Sequence, residues 1–495
     1  MILDAMADAL GGRAALTSAT TETVTATGWR RHPGWGKNPA DPELVAEFSY
    51  TQTFDVVRPQ YRLEMTADTK LVPTKLHYLE VGNGSAGYVD GIDFMFDPRP
   101  VSMSIPSWRV AARLRHLDLT SVLRLATKLL SPAADVVIDG SVLTLRETGR
   151  PPVRVVLDDT SLPARLEVTE EHSPLGDAEV EVRFEDYRQV GALTLPHRLV
   201  IAVDGVIVHD ETRSRIELGQ AADFRLPDDD VTDAGAEQAA YAQHSTEWIM
   251  NYVFAGVRFY FDLQIAPVEH EPVEIAPGVK IVLGPSHNVL VVEMSDHVVA
   301  VDAPLYDEYA RSALAQVKRA FPGKPLRTVV GTHFHYDHIG GIREFVADGG
   351  VTVIVGEPSV PFFKELVRSP HTVDPDRLAA NPTAVDVIGV DDVLELPTAD
   401  GGVMRIQRIT TDHSDDGLVV HLSKPGILFE SDLWNPTPVM PAPNSGRGRL
   451  ATQLYDAIVQ LDLDVTTIVS GHRGTDGHTQ AHAAPLAYLK TAAGR

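Results

Sequence analysis

The run RTVVGTHFHYDHIGG, residues 327–341, sets an apolar strand directly against three histidines and an aspartate crowded into positions 333–338, then closes on two glycines. That juxtaposition restricts the fold more than any other feature, because the polar cluster must sit at the open end of a buried strand. His333 and His335 lie two apart, so in extended chain their side chains project the same way and can bind one ion together. Asp337 and His338 follow as the chain turns toward a helix read at IREFVADG, stopped by Gly349 and Gly350, and they offer an oxygen and a nitrogen to a second ion. Gly340 and Gly341 let the backbone turn tightly without a side chain in the way. Scattered surface histidines would not give this density, since the whole chain has 19 in 495 residues. With no cysteine, there is no disulfide framework or thiolate nucleophile, and any metal must rest on nitrogen and oxygen.

The pattern around this motif alternates strands with helices from about residue 278. VLVVEM (289–294) and HVVAVD (297–302) read as a hairpin about Ser295-Asp296, and Tyr306, Tyr309, Ala313, Val317 and Phe321 fall on one face of the helix that follows. The first 220 residues are different. Phe48, Tyr50, Phe54 and Val56 alternate with polar neighbours, as do Val180, Val182 and Phe184, which predicts half-wetted antiparallel strands with one apolar face. Between them, residues 107–130 carry helical spacing with a polar break, predicting two short helices over that face. The order of strands, helical cover and more strands resembles the lipoprotein-carrier half-barrels in arrangement.

An acidic, turn-rich stretch at 226–238 marks a boundary, and the aromatic run TEWIMNYVFAGVRFYF (246–261) after it reads either as packing or as the apolar wall of a pocket. The expected organisation is a β-rich accessory domain over 1–225, a linker and aromatic connecting segment over 226–265, and a catalytic domain over 266–495. The overall class is α+β.

The formal charge of −25, from 68 acidic against 43 basic residues, repels nucleic acid and anionic lipid. No apolar run reaches the roughly 20 residues that span a bilayer. The start, MILDAMADALGG, lacks a basic and apolar leader, which gives the expectation of a cytoplasmic protein. The partner expected is a small-molecule substrate, with a homo-oligomer left open.

The sequence H-x-H-x-D-H is also the signature of the metallo-β-lactamase superfamily, and residues 270–480 resemble it. The resemblance implies an αββα sandwich and a dinuclear site. His333, His335 and His413 (in TTDHSDD) would hold the first ion, and Asp337, His338 and His472 (in VSGHRG) the second. Asp432 (in FESDLW) would bridge them. Asp302, ending VVAVD, corresponds to a supporting aspartate that orients the metal loop without binding metal. Asp302 and Asp337 are the carboxylates expected to serve catalysis, Asp337 by handling a proton. His287 in GPSHN and His297 read as structural, and Asp415 and Asp416 as solvated charge or a turn.

The implied cofactor is two divalent ions, zinc first, with manganese, iron or cobalt also compatible with nitrogen and oxygen ligands. Such ions about 3.5 to 4 Å apart can share a hydroxide at neutral pH, which would cleave an ester, lactone, amide or related bond. Phe334, Tyr336 and Trp434 beside the ligands suggest a fairly hydrophobic substrate. Histidine at 335 separates the chain from the flavin-linked diiron branch, and Asp432 in place of a cysteine resembles the lactonase, thioesterase and phosphodiesterase branches. Motifs of the nuclease branch's further domain are not found. Two alternatives stay open: a mononuclear iron thiol dioxygenase, which shares much of the ligand set, and a non-catalytic carrier of apolar ligands.

Overall fold

A computed structural model describes residues 2–70, 74–95, 97–227, 246–257, 271–284, 286–435, 446–472 and 483–495. The chain divides into two compact units. The first comprises Met1–His32, Leu44–Phe259 and Thr372–Asp374, and the second Pro33–Glu43, Tyr260–His371 and Pro375–Arg495. Most of the acidic stretch at 226–238, and Phe259, Tyr260 and Phe261 of the aromatic run, lie outside the described residues.

The first unit is built on a 13-stranded sheet with Thr21–His32 and Val206–Leu218 at its middle, paired antiparallel. Its edges are Val101–Ile105 and Asp135–Asp139. The chain passes from one edge to the other through the helices Ser107–Thr120 and Val122–Leu129. The polar break expected near residue 120 is Ser121, whose hydroxyl accepts from the Arg124 N–H and caps the second helix. Val180, Val182 and Phe184 are buried and pair across to Val203, Ile201 and Leu199, as alternation requires. The aromatic run forms the helix Thr246–Ala255, buried throughout and packed on Ser107–Thr120, so its described part is packing within this unit.

The face under the helices is the apolar one, with Phe54, Leu63 and Met65 beside His116, Leu117 and Phe254, but it also buries charge that the alternation did not suggest. Arg30 and Glu247, both fully buried, pair at 2.5 Å. Arg109 pairs with Glu80 at 2.5 Å and Asp93 at 2.9 Å, and Arg213 with Glu211 at 2.8 Å. Burial of charge is tolerable only with such partners. A cavity of about 10 Å³ remains beside Gln52, Arg113, His116, Arg213 and Phe254. That is about the room one water needs. It offers no space to an apolar ligand of the kind a carrier would hold.

The second unit is a sandwich of a seven-stranded and a six-stranded sheet. In the first sheet, strands from Val273–Ala276 to Val298–Val301 run antiparallel, and Val298–Val301, Leu326–Val330, Thr352–Gly356 and Asp386–Val390 run parallel. Between the sheets Ile281, Leu290, Val301 and Val330 meet Ile406, Val420, Phe429 and Val469. On the next residues of the same strands, Val419, Leu428 and Ile468 turn outward beneath the helices Gly446–Gln460 and Leu486–Ala492. Strands buried on both faces read as continuous apolar runs, as these do. The helix Asp307–Ala320 packs against the first sheet with Tyr309, Ala313 and Val317 buried. The fold is therefore α+β, an αββα sandwich joined in one chain to an antiparallel β-rich domain. Among the described residues no helix is long and apolar enough to cross a membrane.

Candidate metal centre

Five strand ends deliver the site. Leu326–Val330 leads into the metal loop, where His335 is still extended (φ −60°, ψ 137°) and the one-turn helix Tyr336–Ile339 carries Asp337 and His338. Val298–Val301 ends at Asp302, Val403–Arg408 precedes His413, Ile427–Glu430 precedes Asp432, and Thr467–Ser470 precedes His472. The two glycines after the loop are required by crowding and not by left-handed backbone. A Cβ on Gly340 would lie 1.6 Å from the Leu305 carbonyl oxygen, and one on Gly341 2.1 Å from Ala310 Cβ.

These side chains converge into two groups whose donor atoms lie within 4.8 Å of one another: His333, His335, His413 and Asp432, and His287, Asp337, His338 and His472. Asp432 faces both. Its Oδ2 lies 3.0 Å from His413 Nε2 and 3.5 Å from His333 Nε2, while Oδ1 lies 2.6 Å from His472 Nε2 and 3.0 Å from His338 Nε2. His333 and His413 face each other Nε2 to Nε2 at 3.1 Å, as do His338 and His472 at 3.2 Å. Ligand atoms bound tetrahedrally at 2.0–2.1 Å stand about 3.3 to 3.4 Å apart. Bare nitrogens held at that spacing fit divalent ions between them. The buried Asp337 Oδ1, which has no hydrogen-bond partner, adds to the fit.

The electrostatics agree. Burial disfavours an imidazolium, yet Asp432 and Asp337 outweigh it and hold His338 well above the usual histidine range. Burial likewise opposes the charge on Asp432, but His338 and His472 hold its carboxyl well below the usual range. The site draws positive charge to its centre. Burial, then His333 and His413, drives His335 well below its ordinary value, keeping it a neutral donor.

A set of outer contacts chooses which nitrogen each histidine presents. Asp302, fully buried at φ +67°, accepts from Thr332 N–H at 2.9 Å, from Ser431 Oγ at 2.6 Å and from His338 Nδ1 at 3.0 Å. His338 therefore turns Nε2 to the site. Ser431 Oγ also meets Thr332 Oγ1 at 2.9 Å, and Thr332 Oγ1 meets His333 Nδ1 at 3.2 Å, so one carboxylate orients histidines of both groups. Asp302 is outside the two donor groups and acts through other residues.

Three residues were missed or misread in sequence. Gly36, in the loop between the first two strands, accepts from His335 Nε2 at 2.7 Å, which leaves Nδ1 for an ion. The same loop passes Gly34 over the Tyr336 ring, where a Cβ would come within 2.3 Å, and accepts the Asp415 N–H at the Lys37 carbonyl at 2.8 Å. His287, read as structural because it is remote in sequence, bridges to His472 and places Nε2 3.3 Å from Asp337 Oδ2. Burial pushes its pKa down to about 3. Asp416, read as solvated, is buried and accepts from Ser359 Oγ at 2.7 Å. His297 lies outside both groups, paired with Asp296 at 2.7 Å.

One further expectation changes, and one more residue went unread in sequence. Phe334, Tyr336 and Trp434 are all buried, Trp434 among Leu428, Ala451 and Leu454, so they supply core. Glu430, not singled out in sequence, accepts from the backbone N–H groups of Leu433 (2.9 Å) and Trp434 (3.1 Å), fixing the turn that carries Asp432. Burial pushes its pKa up to about 8.

Residues 283–472 match the family model of the metallo-β-lactamase superfamily. The chain is 34% identical over 64 residues to the alkyl/aryl-sulfatase BDS1 of Saccharomyces cerevisiae, a match that covers 13% of this chain and 10% of that protein. Among solved structures, a metallo-β-lactamase from Pontibacter korlensis is similar at 19% identity and a TM-score of 0.34, over 45% of this chain and 97% of that one. The sec-alkylsulfatase Pisa1 from Pseudomonas sp. is similar at 18% identity and a TM-score of 0.31, over 45% of this chain and 41% of that one. The motif in its order, the αββα sandwich around it and the family match agree, and residues 283–472 of this chain belong to the metallo-β-lactamase superfamily.

Proposed function

We propose that the protein is a metal-dependent hydrolase that holds two divalent ions, zinc first among them, and cleaves an ester-type bond in a small molecule. The observation that carries this reading is the division of Asp432, one oxygen toward His333 and His413 and the other toward His338 and His472. In this reading His333, His335 and His413 hold one ion, and Asp337, His338 and His472 the other. When bound, the ions polarise the scissile group and bring the pKa of water to about 7. The chain's own part is to place and to carry protons. Asp337 turns Oδ2 toward the second group, and in this reading its unpartnered Oδ1 takes a proton from the attacking water and returns it to the leaving group. Asp302 keeps His338 in the required tautomer.

The sulfatases among the similar proteins bring alkyl and aryl sulfates into the substrate panel beside lactones, thioesters, phosphodiesters and β-lactams. The test strips the full chain of metal, restores zinc in steps and follows turnover across that panel. Hydrolysis of a member of the panel that rises up to two equivalents is expected. One tightly held iron with dioxygen uptake on a thiol, and no hydrolysis, would instead establish the dioxygenase reading.

A further inference from the structure

His287 is held in place by more contacts than a packing residue needs. Its carbonyl accepts from Tyr309 Oη at 2.7 Å, and Gly284 lies so close beneath that hydroxyl that a Cβ there would come within 1.4 Å. The next residue, Asn288, donates its backbone N–H to Gly471 O at 2.7 Å and its side-chain amide to Ser470 O at 3.0 Å, tying this strand to the turn that presents His472. The ring is 1% exposed, 4.1 Å from the His472 ring and 5.1 Å from that of His338, centroid to centroid. Nδ1 meets Ser286 Oγ at 2.9 Å, and Nε2 stands 3.3 Å from Asp337 Oδ2. That last distance is the edge of a tetrahedral ligand pair, about 3.3 Å, and not a tight hydrogen bond.

We propose that His287 is a ligand of the second ion through Nε2, with Nδ1–H donating to Ser286 Oγ. This rests on the two-ion reading and makes the ions unequal. The second ion gains four donors of its own, His287, Asp337, His338 and His472, besides Asp432 Oδ1. The first has three, with Asp432 Oδ2. By this count the second ion is the more fully held of the two.

Two measurements on the full chain test this. In wild-type protein labelled with ¹⁵N-histidine and loaded with ¹¹³Cd, the His287 Nε2 resonance is expected to be split by cadmium; an unsplit His287 resonance overturns the proposal whether one ion or two are bound. The count of ions in the same sample judges the two-ion reading separately. In His287→Ala, zinc at the site of Asp337, His338 and His472 is expected to bind at least about tenfold more weakly, with free imidazole restoring it. Unchanged affinity, or a loss that imidazole does not restore, would show that His287 only positions Asp337.

Discussion

Both units bury histidines and carboxylates, but they neutralise them differently. In the accessory sheet, Glu80 is met by Arg109 and Arg113, Glu247 by Arg30, and Glu211 by Arg213. In the metal centre, the ion pairs of Asp337 and Asp432 among the described residues are with histidines, which are neutral unless protonated. A buried carboxylate with a guanidinium partner is complete within the chain. One surrounded by imidazoles draws its positive charge from outside, as a proton on a ring or as a metal ion, which separates a structural network from a candidate binding site even though the residue types overlap.

The comparison can be broken most sharply at Asp432. Asp432→Ala removes a side chain that faces both groups, and turnover is expected to fall more than about 100-fold, beyond the loss typical of outer contacts, with weaker binding of both ions by titration. Retained metal and turnover would remove Asp432 from the site. In the accessory unit, Glu247→Ala leaves Arg30 buried without its carboxylate and is expected to cost about 3 to 5 kcal/mol in chemical unfolding while the metal count stays constant. A matching loss of metal would contradict the separation of the two networks. Asp302→Ala is expected to lower metal affinity or turnover about 10- to 100-fold by freeing His338. Ser431→Ala should do less, because Asp302 would keep His338 and Thr332.

Acid sharpens the contrast more gently. Burial holds His172 down to about 4, so between about 6.5 and 4 the unfolded chain takes a proton that the folded chain refuses, and stability falls as pH falls through that window. Although burial opposes its charge, Arg109 and Arg113 hold Glu80 down to about 2; its contribution is whole above about 4.5 and is lost as pH falls toward 2. Urea midpoints of the accessory unit are expected to decline from pH 7 to pH 4 and more steeply below. A midpoint independent of pH across that range would contradict these assignments.

The metal loop was legible because a spacing of two in extended chain places His333 and His335 on one side, a local rule. Asp302, His413, Asp432 and His472 were legible through their order and their places at strand ends. His287 was not, because a bridge between distant strands brings it to His472. Gly36 contributes a carbonyl, which leaves no trace in residue type. In the accessory sheet, His209, Glu211 and Arg213 alternate just as a wetted face would, yet theirs is the covered face. Period two tells which residues share a face, and when both faces carry polar residues it does not tell which is buried. Phe334 and Tyr336 show the converse: large aromatics beside a site serve the core more often than the pocket.

The central claim is that the imidazole-rimmed carboxylates of the second unit are completed by two ions. Elemental analysis of the full chain, stripped by chelation and reloaded with zinc, tests it most directly. Two zinc ions per chain are expected, falling in Asp432→Ala, whereas a single ion per chain after reloading, unchanged by that substitution, would contradict it.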